Sequence, residues 1–211
     1  MKQLTPEQIQ ENWNKLRNLI TNTFDGERSE KLNEMYDYFE DRMIIAPASG
    51  KEHYHNAHVG GYVEHVLHVI DSALKITNLW QASGATINFT TEEVIFAAMH
   101  HDLGKVGDMD KDYYVPQESE WHRKNKGEIF THNDALQYMT VTDRAIFLLN
   151  QFGITMTEWE YVGLRLTDGL YEEANKSYYI SYNKDWSLKS NIAYILHQAD
   201  SMATHIEFDE W

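Results

Sequence analysis

The segment from Tyr62 to about Trp80 constrains the fold most, because it has the length of a helix and is apolar on nearly every face. A helix of this kind must be buried on all sides, so other elements have to surround it. The 211 residues include only three prolines, which leaves long stretches free to be helical. The sequence therefore predicts an all-α fold in which helices pack around a central one.

Local start signals predict where the helices lie. Thr5, Thr90 and Thr157 are each followed three residues later by Gln or Glu, which is the pattern of a capping box at a helix N-terminus. Apolar residues at helical spacing continue from each of these starts. We therefore expect helices over residues 6–24, 32–43, 62–80, 92–102, 124–138, 142–152, 158–167 and 188–207, with a short strand as one option for residues 178–182.

The organisation of the chain predicts one domain. Apolar residues make up 42% of the sequence, which is enough for a globular core. There is no internal repeat and no linker-like segment, so we expect a single domain over residues 1–211. Its core is expected over roughly residues 50–205, with the helices of residues 5–43 packed on it.

Composition excludes several classes of function. The chain has no cysteine, which rules out disulfides and thiolate metal sites and fits a reducing cytoplasm. Its start is polar and amphipathic, and no apolar run has membrane-spanning length, so we expect a cytoplasmic protein with no membrane partner. The net charge of −15 argues against binding of long nucleic acid, but it leaves open a small phosphorylated ligand held by a metal or a basic patch.

Three apolar helices carry residues that a core does not need. His65 lies in the central helix, His101 and Asp102 end the next predicted helix, and Asp200 lies in the last one. A buried carboxylate needs a partner, either an arginine or a metal, and a lone buried histidine is more often an ordinary core residue. If the three helices meet, two imidazoles and two carboxylates would suit one divalent ion of Mn, Fe, Co, Ni or Zn, with positions left for water and substrate.

The stretches around these residues resemble the motifs of a known family. "HNAHVGGYVEHVLHV" (residues 55–69), "AAMHHDLGK" (97–105) and "LHQAD" (196–200) are similar to the three motifs of the HD-domain superfamily of metal-dependent phosphohydrolases. The resemblance implies a helical bundle around a metal whose ligands are His65, His101, Asp102 and Asp200. The stretch 113–132, "YYVPQESEWHRKNKGEIFTH", is also similar to HD proteins of tailed bacteriophages.

The resemblance implies hydrolysis of a nucleotide, namely a (deoxy)nucleoside mono- or triphosphate, by attack of a metal-activated water on phosphorus. Binuclear members have two further histidines. Here His122 could be one of them, but Thr167 and Asp168 stand where the other is expected, so we expect one metal and leave an additional Mg²⁺ open.

The alternatives to nucleotide hydrolysis are a phosphodiesterase or 3′-exonuclease on short oligonucleotides, a diiron oxygenase, and a non-catalytic nucleotide-binding regulator. Nucleotidases of this family are often oligomers, which leaves a homo-oligomer open.

Several neighbouring residues are candidates for contact with a phosphate. Lys105 directly follows the His-Asp pair, and the dense basic run "EWHRKNKGE" (120–128) could clamp a phosphate. The alternative for both is a solvated position at a helix end or in a loop. Two histidines precede Gly60–Gly61 and could serve as a general acid or contact substrate, or lie in a surface loop. We assign catalytic roles to Lys105, His58 and His122, and substrate binding to His55, Arg123, Lys124, Lys126 and Asp168.

Asp102 gives the sharpest test of these expectations. We expect Asp102→Ala to abolish metal binding and turnover, because the variant lacks one of the four predicted ligands. Removing an anion from a site of low dielectric constant also favours a more stable fold. Metal analysis of the purified variant and its thermal unfolding would check both. A variant that kept its full metal content would refute the reading of "HHD" as a metal motif.

Overall fold

The structure is a computed structural model that describes residues 3–209, without the side chain of Asp209. It is predominantly helical, with 63% helix and 4% strand, which confirms the expected class. The helices are α1 (Pro6–Thr23), α2 (Gly26–Tyr38), α3 (Glu40–Ile45), α4 (Gly61–Ala82), α5 (Thr91–His100), α6 (Glu120–Lys126), α7 (Val141–Gln151), α8 (Glu158–Arg165), α9 (Lys176–Tyr179) and α10 (Ile192–Asp209). Two short strands, β1 (Tyr114–Pro116) and β2 (Phe130–His132), pair with each other.

The predicted capping boxes set the starts of three helices. Thr5, Thr90 and Thr157 each accept a hydrogen bond from the backbone N–H three residues on, at the starts of α1, α5 and α8. The Gln or Glu at that third position bonds back to the threonine N–H. Two backbone donors that the helix cannot satisfy are thereby satisfied at each start.

The prediction of a helix over residues 124–138 is wrong. Helix α6 ends at Lys126 because Gly127, with φ +61°, takes the left-handed conformation that terminates a helix. The chain then forms β2, which pairs antiparallel with β1 so that Val115 faces Thr131. The option of a strand at residues 178–182 is also wrong, because α9 occupies part of this segment and ends at Tyr179.

Helix α4 is the central element, as its composition predicts. Its residues are buried at most positions from Gly61 to Ile76, and it packs against α10 and α5 and under α1 and α3. The hydrophobic core continues without a break from Trp13 in α1 to Ala203 in α10. Among the described residues, no helix is both long enough and apolar enough to cross a membrane.

Two glycines allow close approaches that position the motif residues. A Cβ atom on Gly61 would lie 2.1 Å from the Asn56 carbonyl oxygen, so only glycine lets the preceding loop fold back on the start of α4. A Cβ atom on Gly104 would lie 2.0 Å from the carbonyl oxygen of Val141. The turn that follows Asp102 is thus held directly against the first residue of α7.

The continuous core predicts a strong dependence of stability on one residue of α7. Leu148 is fully buried, so we expect Leu148→Ala to lower the free energy of unfolding by about 2–5 kcal/mol through lost burial and the cavity left behind. Leu79, which is 64% exposed on α4, is the matched control, and Leu79→Ala should change stability little. Urea unfolding of both variants measures this. Equal losses would contradict the core described here.

Candidate metal centre

The four side chains predicted as ligands meet at one point. His65 comes from α4, His101 and Asp102 from the end of α5, and Asp200 from α10. The Nε2 atoms of His65 and His101 are 3.4 Å apart. The Asp200 Oδ1 atom lies 3.2 Å and 3.8 Å from them, and the Asp102 Oδ2 atom lies 3.7 Å and 3.6 Å from them. Each of the two carboxylates therefore lies close to both imidazoles, although the four side chains come from three different helices.

The outer nitrogens of the two imidazoles fix the tautomers of the rings. The Nδ1 atom of His101 lies 2.7 Å from the Ala98 carbonyl oxygen, which can only accept, so Nδ1 carries the hydrogen. The Nδ1 atom of His65 donates to the Glu207 carboxylate over 2.9 Å. In the neutral rings, both Nε2 lone pairs then point into the same space beside two carboxylates. These donors fit a divalent ion, since metal-bound histidines commonly donate their second nitrogen in this way.

The electrostatics of the cluster favour positive charge at its centre. Burial acts to lower the pKa of His65, but the hydrogen bonds with Asp200 and Glu207 outweigh it and raise this pKa to about 10. Burial likewise opposes ionisation of Asp102, while Lys105 and the two imidazoles hold the pKa of its carboxyl below the ordinary value. The folded site thus stabilises the Asp102 anion, which argues against the gain in stability expected for Asp102→Ala, since that variant also leaves Lys105 without this partner. A metal ion must displace the proton from His65, so binding of the ion releases a proton.

The two consecutive histidines of "HHD" have different environments. His100 is fully buried, donates from Nδ1 to the Phe96 carbonyl oxygen over 2.7 Å, and packs against the rings of Phe96 and Tyr36. Burial lowers the pKa of His100 to about 3, so the ring is neutral. His101, the next residue, instead faces His65 and Asp200. His100 is therefore a core residue, and His101 and Asp102 are the residues of this motif that belong to the cluster.

A cleft of about 450 Å³ opens onto this cluster. Asp102 and Asp200 form part of its wall, together with Lys105, whose Nζ atom lies 2.6 Å from the Asp102 Oδ2 atom. Asp168 lies on the wall as well and accepts a hydrogen bond from the Thr142 hydroxyl over 3.0 Å. Burial and the nearby charges of Asp102 and Asp200 raise the pKa of Asp168. The ligand cluster is thus accessible to a small molecule from one side.

His55 and three tyrosines also line the cleft. His55 packs against His65 with ring centroids 4.6 Å apart, and its buried Nε2 atom has no hydrogen-bond partner. Burial, together with the charges of His65 and Lys105, lowers the pKa of His55 to about 3. The tyrosines are Tyr113, Tyr138 and Tyr171, of which the last two are 78% and 88% exposed.

His58 lies apart from the cleft. This buried histidine places its Nε2 atom 3.3 Å from the carboxylate of Glu64 and lines a separate cavity next to α1. It does not line the cleft, and among the described residues its ring nitrogens do not belong to the groups of ligand atoms that cluster with His65. The catalytic role assigned to His58 stays a sequence-based prediction without support from its position.

The basic run also lies outside the cleft. His122 contacts the Ser119 hydroxyl, and Arg123 donates to the Gln117 carbonyl oxygen. Lys124 pairs with Glu120 one turn away, and Lys126 lies over the ring of Trp121. All of these contacts are local to α6, whose residues are absent from the lining of the cleft. A phosphate clamp by His122, Arg123, Lys124 and Lys126 stays a prediction.

Sequence analysis missed Glu207, which is 1% exposed and bonds to His65. A signal for it exists in the sequence. Glu207 follows Asp200 by seven residues, so two helical turns place both carboxylates on the same face of α10. A second carboxylate on a face that is otherwise apolar needs a partner just as the first does.

Comparison with known proteins adds no relative on which to base an assignment. No family model matches the chain, and neither a curated protein nor a solved structure matches it. The interpretation of this centre therefore depends on its own geometry and on the motifs in the sequence.

The cluster predicts that divalent ions stabilise the fold. An ion present at 100 times its dissociation constant stabilises the folded state by about 2.7 kcal/mol, which raises the Tm of a chain of this size by roughly 5–10 °C. Differential scanning calorimetry with Mn²⁺, Co²⁺ or Zn²⁺, compared with EDTA, measures the shift. Asp200→Ala should abolish it, whereas Asp71→Ala, at an exposed position of α4, should keep it. An unchanged Tm of the unaltered protein with every ion would contradict the metal centre.

Proposed function

We propose that this chain is a metal-dependent phosphohydrolase of the HD type that acts on a nucleotide. The observation that carries the proposal is the convergence of His65, His101, Asp102 and Asp200, of which the two aspartates line an open cleft, with both outer imidazole nitrogens already hydrogen-bonded. The order of these residues along the chain and their motifs agree with the family resemblance. The helical architecture is compatible with the bundle of that family.

The donor set suits one divalent transition ion. Two imidazole nitrogens and two carboxylates are compatible with Mn²⁺, Fe²⁺, Co²⁺, Ni²⁺ or Zn²⁺, and they do not distinguish among these ions. When bound, such an ion supplies Lewis acidity, which polarises a phosphoryl oxygen and lowers the pKa of water. An additional Mg²⁺, carried in with the substrate phosphates, remains an open alternative.

Lys105 is the residue best placed to neutralise charge on a phosphoryl group. Its side chain is 15% exposed, lines the cleft and is held by Asp102 at 2.6 Å. Burial acts to lower its pKa, but the Asp102 carboxylate outweighs this and raises the pKa above the ordinary value, so the ammonium is always charged. A fixed cation beside the reacting group stabilises the negative charge that develops in the transition state.

His55 and Asp168 supply polar groups for the rest of the substrate. The unpartnered Nε2 atom of His55 is buried beside the ligands, where a hydrogen bond to a substrate oxygen would compensate for its desolvation. Asp168, already held by Thr142, offers a carboxyl group to a substrate hydroxyl. Both residues keep the substrate-binding roles assigned from the sequence.

The size and lining of the cleft support a nucleotide as substrate. Its volume of about 450 Å³ falls in the usual range for small-molecule sites. Tyr113, Tyr138 and Tyr171 offer aromatic faces on which a base could stack. The net charge of −15 makes a single nucleotide more favourable than long nucleic acid.

The alternative of a diiron oxygenase has less support. It needs a fuller set of histidines, for which His122 was the sequence candidate. His122 bonds to Ser119, its ring nitrogens do not belong to the groups of clustered ligand atoms among the described residues, and the position near Asp168 has no histidine. Cleavage of short oligonucleotides and non-catalytic nucleotide binding are separated from the main proposal by the experiment below.

A phosphate-release screen tests the proposal. The purified protein is incubated with each common nucleoside and deoxynucleoside mono- and triphosphate in the presence of Mn²⁺, Co²⁺, Zn²⁺ or Mg²⁺. We expect release of orthophosphate or triphosphate from one group of nucleotides, dependent on a divalent ion. Asp102→Ala should lose this activity, because it lacks a ligand and the partner of Lys105.

Asp71→Ala is the matched control, since Asp71 is an exposed aspartate that pairs only locally with Lys75. It should keep full activity. Metal binding without release from any nucleotide would overturn the nucleotidase proposal. Oligonucleotide cleavage and oxygen consumption by the same preparation would then identify the nuclease or the oxygenase, and nucleotide binding alone would identify the regulator.

A further inference from the structure

We infer that Glu207 is a positioning residue of the candidate metal centre, holding His65 so that its Nε2 atom faces the ion. The inference rests on the proposed metal-dependent function and assigns a residue outside the predicted ligand set. It is carried by the contacts of one buried carboxylate with two histidines.

Both oxygens of Glu207 are hydrogen-bonded to imidazoles of α4. The Oε2 atom accepts from His65 Nδ1 over 2.9 Å, and the Oε1 atom accepts from His68 Nδ1 over 2.8 Å. His65 and His68 are three residues apart, so they lie one above the other on the face of α4 that meets α10. The carboxylate therefore bridges two successive turns of the central helix.

The burial of Glu207 is costly unless these bonds are made. Its side chain has no exposed surface, and removing a carboxylate from water without partners costs several kcal/mol. Two imidazole N–H groups supply the compensation. Burial acts to raise the pKa of Glu207, but the bonds from His65 and His68 outweigh it and lower the pKa to about 2, so the group is anionic.

Helix α10 thereby contacts His65 at both ring nitrogens. Asp200 Oδ1 lies 3.2 Å from Nε2, and Glu207 Oε2 lies 2.9 Å from Nδ1. His55 packs against the ring with centroids 4.6 Å apart. The ring can neither rotate nor change tautomer without losing one of these contacts. The Glu207 bond is the one that keeps the hydrogen on Nδ1, so that the proton which a metal displaces comes from Nε2.

The alternative role for Glu207 is that of a direct metal ligand, because ligand atoms of His55, His65 and Glu207 also lie within 4.8 Å of one another. As a ligand, Glu207 would belong to a second ion. That arrangement would require Nδ1 of His65 to give up its hydrogen, whereas Nδ1 now donates to Glu207. The stoichiometry of metal binding distinguishes the two roles.

Isothermal titration with Mn²⁺, together with the visible absorption spectrum of the Co²⁺ form, tests the inference on the full chain. Glu207→Gln keeps the shape of the side chain but loses the charge, and its amide cannot accept from both histidines. We expect one ion per chain in the unaltered protein. In the variant we expect a 10- to 100-fold higher Kd, in line with the usual effect of losing such a partner, and an altered Co²⁺ spectrum.

Glu160→Gln is the matched control. Glu160 is also a fully buried carboxylate with a cationic partner, Arg28 at 2.6 Å, but it lies on α8 and outside the ligand cluster. A general loss of stability would affect both variants, whereas only Glu207→Gln should weaken metal binding. If Glu207→Gln does not fold, Glu207→Asp retains the charge but shortens the reach to His65, and it should raise the Kd by about tenfold.

Each outcome decides one proposal. A Kd and a Co²⁺ spectrum of folded Glu207→Gln equal to those of the unaltered protein would overturn the positioning role. Two ions in the unaltered protein and one in the variant would make Glu207 a ligand and overturn it as well. Failure of the unaltered protein to bind any divalent ion would instead remove the proposed metal-dependent function itself.

Discussion

The structure depends on how charge is compensated where three apolar helices meet. Two imidazole nitrogens face each other at 3.4 Å beside two carboxylates, and all four groups lie in or next to a core built from Val, Ile, Leu and Phe. Such a concentration of negative charge is tolerable in a low-dielectric interior only beside positive charge, which a protonated His65, Lys105 or a bound metal ion can supply. The hydrogen bonds at the outer imidazole nitrogens orient the rings, and the salt bridge from Lys105 to Asp102 supplies part of the positive charge.

The features that could be predicted from the sequence are local or periodic. The three capping boxes depend on a threonine and a residue three positions later, and the burial of α4 follows from its composition. The ligand cluster was also predictable, because His65, the His101–Asp102 pair and Asp200 are polar interruptions of apolar helices that needed a common partner. Its geometry agrees with that expectation, since the Nε2 atoms of His65 and His101 lie 3.4 Å apart.

The remaining features depend on tertiary contacts that composition does not report. The basic run was expected at a phosphate, yet its side chains find partners within α6 and its neighbouring loop. The helix predicted through residues 124–138 is interrupted by Gly127, whose left-handed backbone precedes a strand that needs β1 as its partner. His58 precedes the same motif as His55, but His55 packs against the ring of His65, whereas His58 pairs with Glu64.

The close approach of Gly104 to Val141 joins two parts of the cleft wall through the backbone. Asp102 and Lys105 flank Gly104 in one part, and Thr142, next to Val141, bonds to Asp168 in the other. No side chain at position 104 separates the two parts, so main-chain atoms fix how the turn after Asp102 sits against the start of α7. Side chains elsewhere on the wall can therefore be exchanged, and the chemical preference of the cleft changed, without disturbing this backbone contact.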